Sequence, residues 1–134
     1  MILKNPNIKL NNVGFKYETT NEKAISNVSF DIKGNTMAAF VGHSGAGKST
    51  IMSLLPRFYD PQEGSIEIDE QNTASVSLKS LRQHLSMVSQ DVILFDDTIK
   101  NNIAYAKVDA SEKEISNACK FAAADEFIKN LPEG

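Results

Sequence analysis

The stretch Gly42-His43-Ser44-Gly45-Ala46-Gly47-Lys48-Ser49-Thr50 carries the residue types and spacing that could do chemistry. It matches G-x-x-x-x-G-K-[ST] at every fixed position. Glycines strip Cβ atoms from a loop, so backbone N–H groups can come close to a ligand. A cation and two hydroxyls follow at once. A loop of this kind running into a helix makes an anion site, because unpaired N–H groups and the helix dipole both favour negative charge. A glycine-rich turn with no ligand would have no need of Lys48 followed by two hydroxyls.

Such a loop needs a strand before it and a helix after it. Thr36 to Val41 is a short apolar run and predicts a buried strand. Lys48 to Leu55 predicts the first turns of a helix, and Pro56 marks its end because proline disfavours helical geometry in the residue before it. Upstream, Ile8 to Tyr17 alternates apolar and polar residues and predicts a strand. Ala24 to Ile32 predicts a second, somewhat irregular one. Lys33-Gly34-Asn35 is a tight turn between that strand and the next. Downstream, Gly64 to Asp69 and Leu85 to Ser89 predict short strands. Ser77 caps a helical turn through Arg82, and Asp97 or Thr98 caps a short helix through Ala104. Ser111-Glu112-Lys113-Glu114 is a capping box before a helix running towards Ala122. Asp125 to Leu131 is a last helical piece.

The chain has 134 residues, enough for one domain with a single core. Hydrophobic residues at 41% and charged residues at 23% are ordinary for a soluble globular protein. The net charge is −3 without a basic stripe, which argues against nucleic acid as a partner. No apolar run approaches the length of a membrane span, and residues 1–9 have no signal-peptide core. Cys119 is the single cysteine, so no internal disulfide forms; it reads as a packed, inert thiol in a reducing compartment.

Further segments fall in order around the loop. Phe15-Lys16-Tyr17 precedes it, and Ser53-Leu54-Leu55-Pro56-Arg57-Phe58-Tyr59-Asp60-Pro61 follows. Leu78-Lys79-Ser80-Leu81-Arg82 precedes Met87-Val88-Ser89-Gln90-Asp91, and Leu94-Phe95-Asp96-Asp97-Thr98-Ile99 and Asn101-Asn102-Ile103-Ala104-Tyr105 come last. Together they resemble the nucleotide-binding domain of ABC transporters, specifically the exporter type related to bacterial lipid A and multidrug exporters. The resemblance covers the whole chain but only the first part of that domain. It implies an α/β fold: a P-loop ATPase core with an N-terminal antiparallel β-subdomain. On this reading residues 1–134 are a single partial domain, truncated before the LSGGQ-type signature, the acidic catalytic strand and the switch histidine, all of which would follow Gly134.

The resemblance also implies roles. Tyr17 stacks on adenine. Gly42, Ser44, Gly45, Ala46 and Gly47 cradle the phosphates of ATP. Lys48 reaches the β- and γ-phosphates, Ser49 offers its hydroxyl to Mg²⁺, and Thr50 supports the helix start. Gln90 reaches Mg²⁺ and the attacking water. The implied partners are a second nucleotide-binding domain and a transmembrane domain touching the Gln90 region. The implied place is the cytoplasmic face of a membrane, with the fragment itself soluble. Other readings stay open: a non-catalytic fragment, or another P-loop phosphotransferase, for which Arg57 and Arg82 are the only arginines after Lys48. Val92 to Asp97 comes nearest to an acidic strand but leads directly into a helix cap. Asp69-Glu70 stands where the family often has Asp-Gly, and so predicts a looser turn. His43 reads as a solvated side chain, and Arg57-Phe58-Tyr59 as packing under the P-loop helix.

Overall fold

The computed structural model describes residues 1–89, 91 and 93–131. They fall into two compact units, Met1–Met87 and Val88–Gly134.

In the first unit four strands form an antiparallel sheet in the order β2-β1-β3-β4: β1 (Ile8–Phe15), β2 (Ile25–Ile32), β3 (Glu63–Ile68) and β4 (Gln71–Asn72). β1 is central, with Ile8 opposite both Ile32 and Ile68. Its apolar alternation slips between Leu10 and Val13, where the register with β2 shifts. Asn12 and Asn27 absorb the slip in left-handed conformations (φ 49° and 52°). Asn12 Nδ2 donates to Asn27 Oδ1 at 2.7 Å. The bulge returns Val13 and Phe15 to the same buried set as Leu10.

Helix α1 (Lys48–Leu54) packs on this sheet through Ile51 and Leu54, three residues apart and therefore on one face. Leu54 and Val13 are fully buried, and Leu10, Phe15, Ile25 and Ile66 complete the contact. Burying side chains of this size contributes about 1.5–3 kcal/mol each. That packing anchors α1 and with it the glycine loop at its start. At its other end α1 closes with Arg57 N–H donating to Leu54 O and Phe58 N–H to Ser53 O, both at 3.0 Å. Arg57 takes the left-handed position (φ 54°) that glycine usually occupies in this closure. Its guanidinium compensates by donating to Thr73 O at 2.9 Å, Val76 O at 3.1 Å and Asp60 Oδ1 at 2.7 Å. Helix α2 (Leu78–Arg82) follows, with the Ser77 side chain accepting from Ser80 N–H.

Three expectations change. Thr36 to Val41 is not a strand, and it is not buried: Met37 is 99% and Val41 91% exposed, while Phe40 packs on Phe30 at 5.4 Å. Leu85 to Ser89 is not a strand either. A strand exists only with a hydrogen-bonded neighbour, and among the described residues no segment pairs with either run. The turn after β3 is tight: Asp69 and Glu70 both adopt left-handed geometry (φ 51° and 61°). Asp69 is also tied down, its carboxylate accepting from Lys4 N–H at 2.6 Å and its N–H donating to Asn7 O at 2.8 Å.

The second unit contains helices α3 (Ile99–Ile103), α4 (Glu112–Phe121) and α5 (Asp125–Lys129), with a 3₁₀ turn at Ala104–Ala106. Thr98 caps α3 and accepts from Asn101 N–H. The capping box at α4 forms in full between Ser111 and Glu114. No residue described in this unit is fully buried. Among its described residues, and those of the first unit, no helix is long and apolar enough to cross a membrane.

Candidate functional site

The glycine loop has an unusual hydrogen-bond balance. Ala46 N–H closes a turn onto His43 O at 3.3 Å, and Ile51 N–H begins the helical ladder on Gly47 O at 3.0 Å. Around these two, the N–H groups of Ser44, Gly45, Gly47, Lys48, Ser49 and Thr50 find no acceptor among the described residues. Gly47 and Lys48 are half-buried and Thr50 is buried, while Ser44, Gly45 and Ser49 are exposed; together these loop and first-turn donors are open to an external partner. An anion with several oxygens fits that need.

Gly47 fixes the shape of the loop. It sits at φ 83°, ψ 4°, and a Cβ there would lie 2.7 Å from Ala24 O. The Lys48 ammonium then folds back across the loop, donating to Gly42 O at 2.8 Å and His43 O at 2.7 Å. It spends part of its donor capacity on holding position and keeps the rest. Loop, Lys48, Ser49, Thr50, Ala24 and Tyr17 line a cavity of about 310 Å³. Unpaired N–H groups, a held cation and an open cavity together suit polyphosphate.

Tyr17 is half-buried at the edge of the core. Its hydroxyl donates to Thr50 Oγ1 at 3.2 Å. The ring stands edge-on to Phe15 at 4.9 Å and to Tyr59 at 5.2 Å. Ser49 is exposed, with its hydroxyl available to a metal, whereas Thr50 is turned inward and 6% exposed. Thr50, expected to support the helix start, has its hydroxyl engaged by Tyr17 and its backbone N–H open. His43 is exposed and its ring Nδ1–H donates to Ser44 O at 2.7 Å.

Gln90 lies outside the described residues. Of the acidic pair Asp96-Asp97 further along the sequence, Asp97 is accounted for. Asp97 accepts from Asn101 Nδ2 and from Thr98 N–H, and these bonds hold its carboxyl below the usual carboxylate range. It precedes the α3 cap Thr98 and ties that cap and the Asn101 side chain in place. Arg57 and Arg82 are also committed: Arg82 donates to Pro56 O at 3.0 Å and Arg57 O at 2.8 Å. Neither is a free lid arginine. The Tyr17–Thr50 bond and the Tyr59 contact are what sequence reasoning missed. Only the aromatic run Phe58-Tyr59 hinted at the latter.

A glycine loop of open N–H groups entering a helix that packs on a sheet defines the class: a P-loop protein. A family model described as ABC transporter matches residues 25–133, and the chain belongs to the ABC transporter family. It is 52% identical over 113 residues to the ATP-dependent lipid A-core flippase of Legionella pneumophila strain Lens, covering 84% of this chain and 19% of that protein. It is 46% identical over 127 residues to the protein of the same name in Syntrophus aciditrophicus strain SB, covering 95% of this chain and 21% of that one. The solved structure of a bacterial Atm1-family ABC exporter with ATP bound superposes with a TM-score of 0.94 at 46% identity. It covers 100% of this chain, which spans 24% of that one. The chain therefore spans about a fifth of the length of these curated relatives.

Proposed function

We propose that these residues are the ATP-binding first part of an ABC exporter's nucleotide-binding domain, one that couples ATP binding and hydrolysis to export of a lipid, drug or similar substrate. The observation that carries this is the set of unpaired N–H groups under the Lys48 ammonium, beside an aromatic ring. The open N–H groups of Ser44, Gly45, Gly47, Lys48, Ser49 and Thr50 donate to phosphate oxygens, and the Gly42 to Gly47 backbone forms the cradle. Lys48 supplies positive charge to the β- and γ-phosphates. Tyr17 offers a flat ring for adenine. The name of the Atm1-family neighbour, with ATP bound, supports the choice of nucleotide.

Mg²⁺, when bound, neutralises charge on the β- and γ-oxygens. The Ser49 hydroxyl is suited to hold it, with Gln90 as the second ligand and the residue that positions water. The partners of this reading are a second nucleotide-binding domain and a transmembrane domain near Gln90, on the cytoplasmic face of a membrane. Residues 1–134 act as one partial domain within that assembly. The committed state of Arg57 and Arg82 speaks against a small-molecule kinase.

Calorimetric titration with MgATP tests the reading. Lys48→Ala removes a charge-assisted contact worth about 1.5–3 kcal/mol, an expected loss of roughly tenfold to over a hundredfold in affinity. It also leaves the Gly42 and His43 carbonyls facing the phosphates without their cation. Equal affinity in the variant refutes the reading.

A further inference from the structure

We propose that Tyr59 is a positioning residue for nucleotide binding, its ring holding Tyr17 in the orientation that the adenine base requires. This rests on the ATP-binding reading above. Tyr59 stands 5.2 Å from Tyr17 with the rings at 88°, and 5.4 Å from Phe15 at 49°. Edge-on aromatic pairs of this kind are attractive and directional. Phe15 is buried in β1, whereas Tyr59 is 47% exposed on the loop after α1. The Tyr59 hydroxyl has no hydrogen-bond partner among the described residues. Its contribution is therefore the ring.

The loop that carries it is tied down by hydrogen bonds on both sides of Tyr59. Arg57 and Phe58 close the end of α1 with backbone bonds, and the Arg57 guanidinium pins Asp60 on the far side of Tyr59. Helix α1 thus holds Tyr17 at both ends: Thr50 in its first turn bonds the hydroxyl, and Tyr59 just past its last turn braces the ring. Tyr17 and Tyr59 also share the wall of a cavity of about 450 Å³ with Phe15 and Gln62. Removing the Tyr59 ring enlarges that space and gives Tyr17 room to turn away from the glycine loop. Tyr59 does not line the cavity at the loop, so it acts through Tyr17.

The test is calorimetric titration of the 134-residue chain with MgATP and, separately, with magnesium tripolyphosphate, which has no base. Tyr59→Ala is expected to weaken MgATP about threefold to tenfold and to leave tripolyphosphate unchanged. Tyr59→Phe is expected to bind both as the parent chain does. In a Tyr17→Ala background, adding Tyr59→Ala is expected to cost nothing further, because the two act as one unit. Equal weakening of both ligands by Tyr59→Ala overturns the proposal, as does a further loss of MgATP affinity in the Tyr17→Ala background. Lys48-dependent MgATP binding that Tyr59→Ala leaves unchanged overturns this proposal alone. Absent binding, or binding indifferent to Lys48→Ala, overturns the ATP-binding reading and this one with it.

Discussion

Gly47→Ala and Gly45→Ala, made side by side, test whether the loop has the shape described. Both glycines are left-handed, at φ 83° and 79°. A residue with a Cβ pays about 1–2 kcal/mol for that conformation, so both variants carry this cost. They differ in what the new methyl meets. At Gly45 there is nothing within 4 Å. At Gly47 the Cβ would lie 2.7 Å from Ala24 O and 3.3 Å from Ile25 Cγ1. Ala24 cannot give way easily, because its own N–H is bonded to Phe15 O at 2.9 Å and Ile25 is buried in β2. Forcing a methyl into packed structure costs typically about 1–3 kcal/mol more. Gly47→Ala is therefore expected to destabilise by about 2–5 kcal/mol, and Gly45→Ala by only about 1–2 kcal/mol. Urea unfolding gives both values, and MgATP titration of the surviving folded protein reports the cradle. If the two variants lose the same stability, Gly47 does not sit against Ala24 and the loop geometry is wrong. If Gly47→Ala keeps full affinity, the loop does not hold phosphate.

Tyr17→Ala is expected to lose about 1–3 kcal/mol of MgATP affinity, and Tyr17→Trp to retain it, because a base stacks on any broad aromatic face; titration with MgATP decides. Arg57→Lys is expected to destabilise by about 1–3 kcal/mol in urea unfolding, since one ammonium nitrogen cannot stand both where Nε bonds Asp60 and where Nη1 bonds Thr73 O and Val76 O. A stability equal to the parent's would show that the guanidinium bonds are idle. The Glu114 carboxyl, held by Lys107 Nζ and then by Ser111, lies at about 2 against an ordinary 4.5. Its folded value is depressed, so its contribution to α4 is complete above pH 4.5 and is lost as pH falls through about 2. An NMR titration of the Glu114 carboxyl carbon is expected to show that low midpoint, and Lys107→Ala is expected to raise it; a midpoint near 4.5 in the parent chain rules out the pairing.

Several elements were legible in the sequence because their cause is local. Ser77, Thr98 and the Ser111–Glu114 box each bond an N–H within three residues, so cap chemistry alone placed α2, α3 and α4. The same holds for the glycine loop, whose spacing fixes where N–H groups stay unpaired. The order of spaced segments was enough to mark the family. The apolar runs at 36–41 and 85–89 misled because a strand is a relation between segments, and hydrophobicity does not say whether a neighbour pairs.

What the sequence determined by itself was the chemistry available: an anion cradle, a cation at its rim, an aromatic nearby and a set of capped helices. What only the tertiary structure decided was how distant residues hold one another. Tyr17 bonds Thr50 across 33 residues, and Arg57 reaches Thr73 and Val76 across 16 and 19. Asn12 and Asn27 take up a bulge together, and Tyr59 leans on Tyr17. No local rule predicts these contacts. They depend on the burial of Leu54 and Val13 bringing α1 and the sheet together, and hydrophobic burial is non-directional: it selects which surfaces meet, and the polar and aromatic geometry follows from where they do.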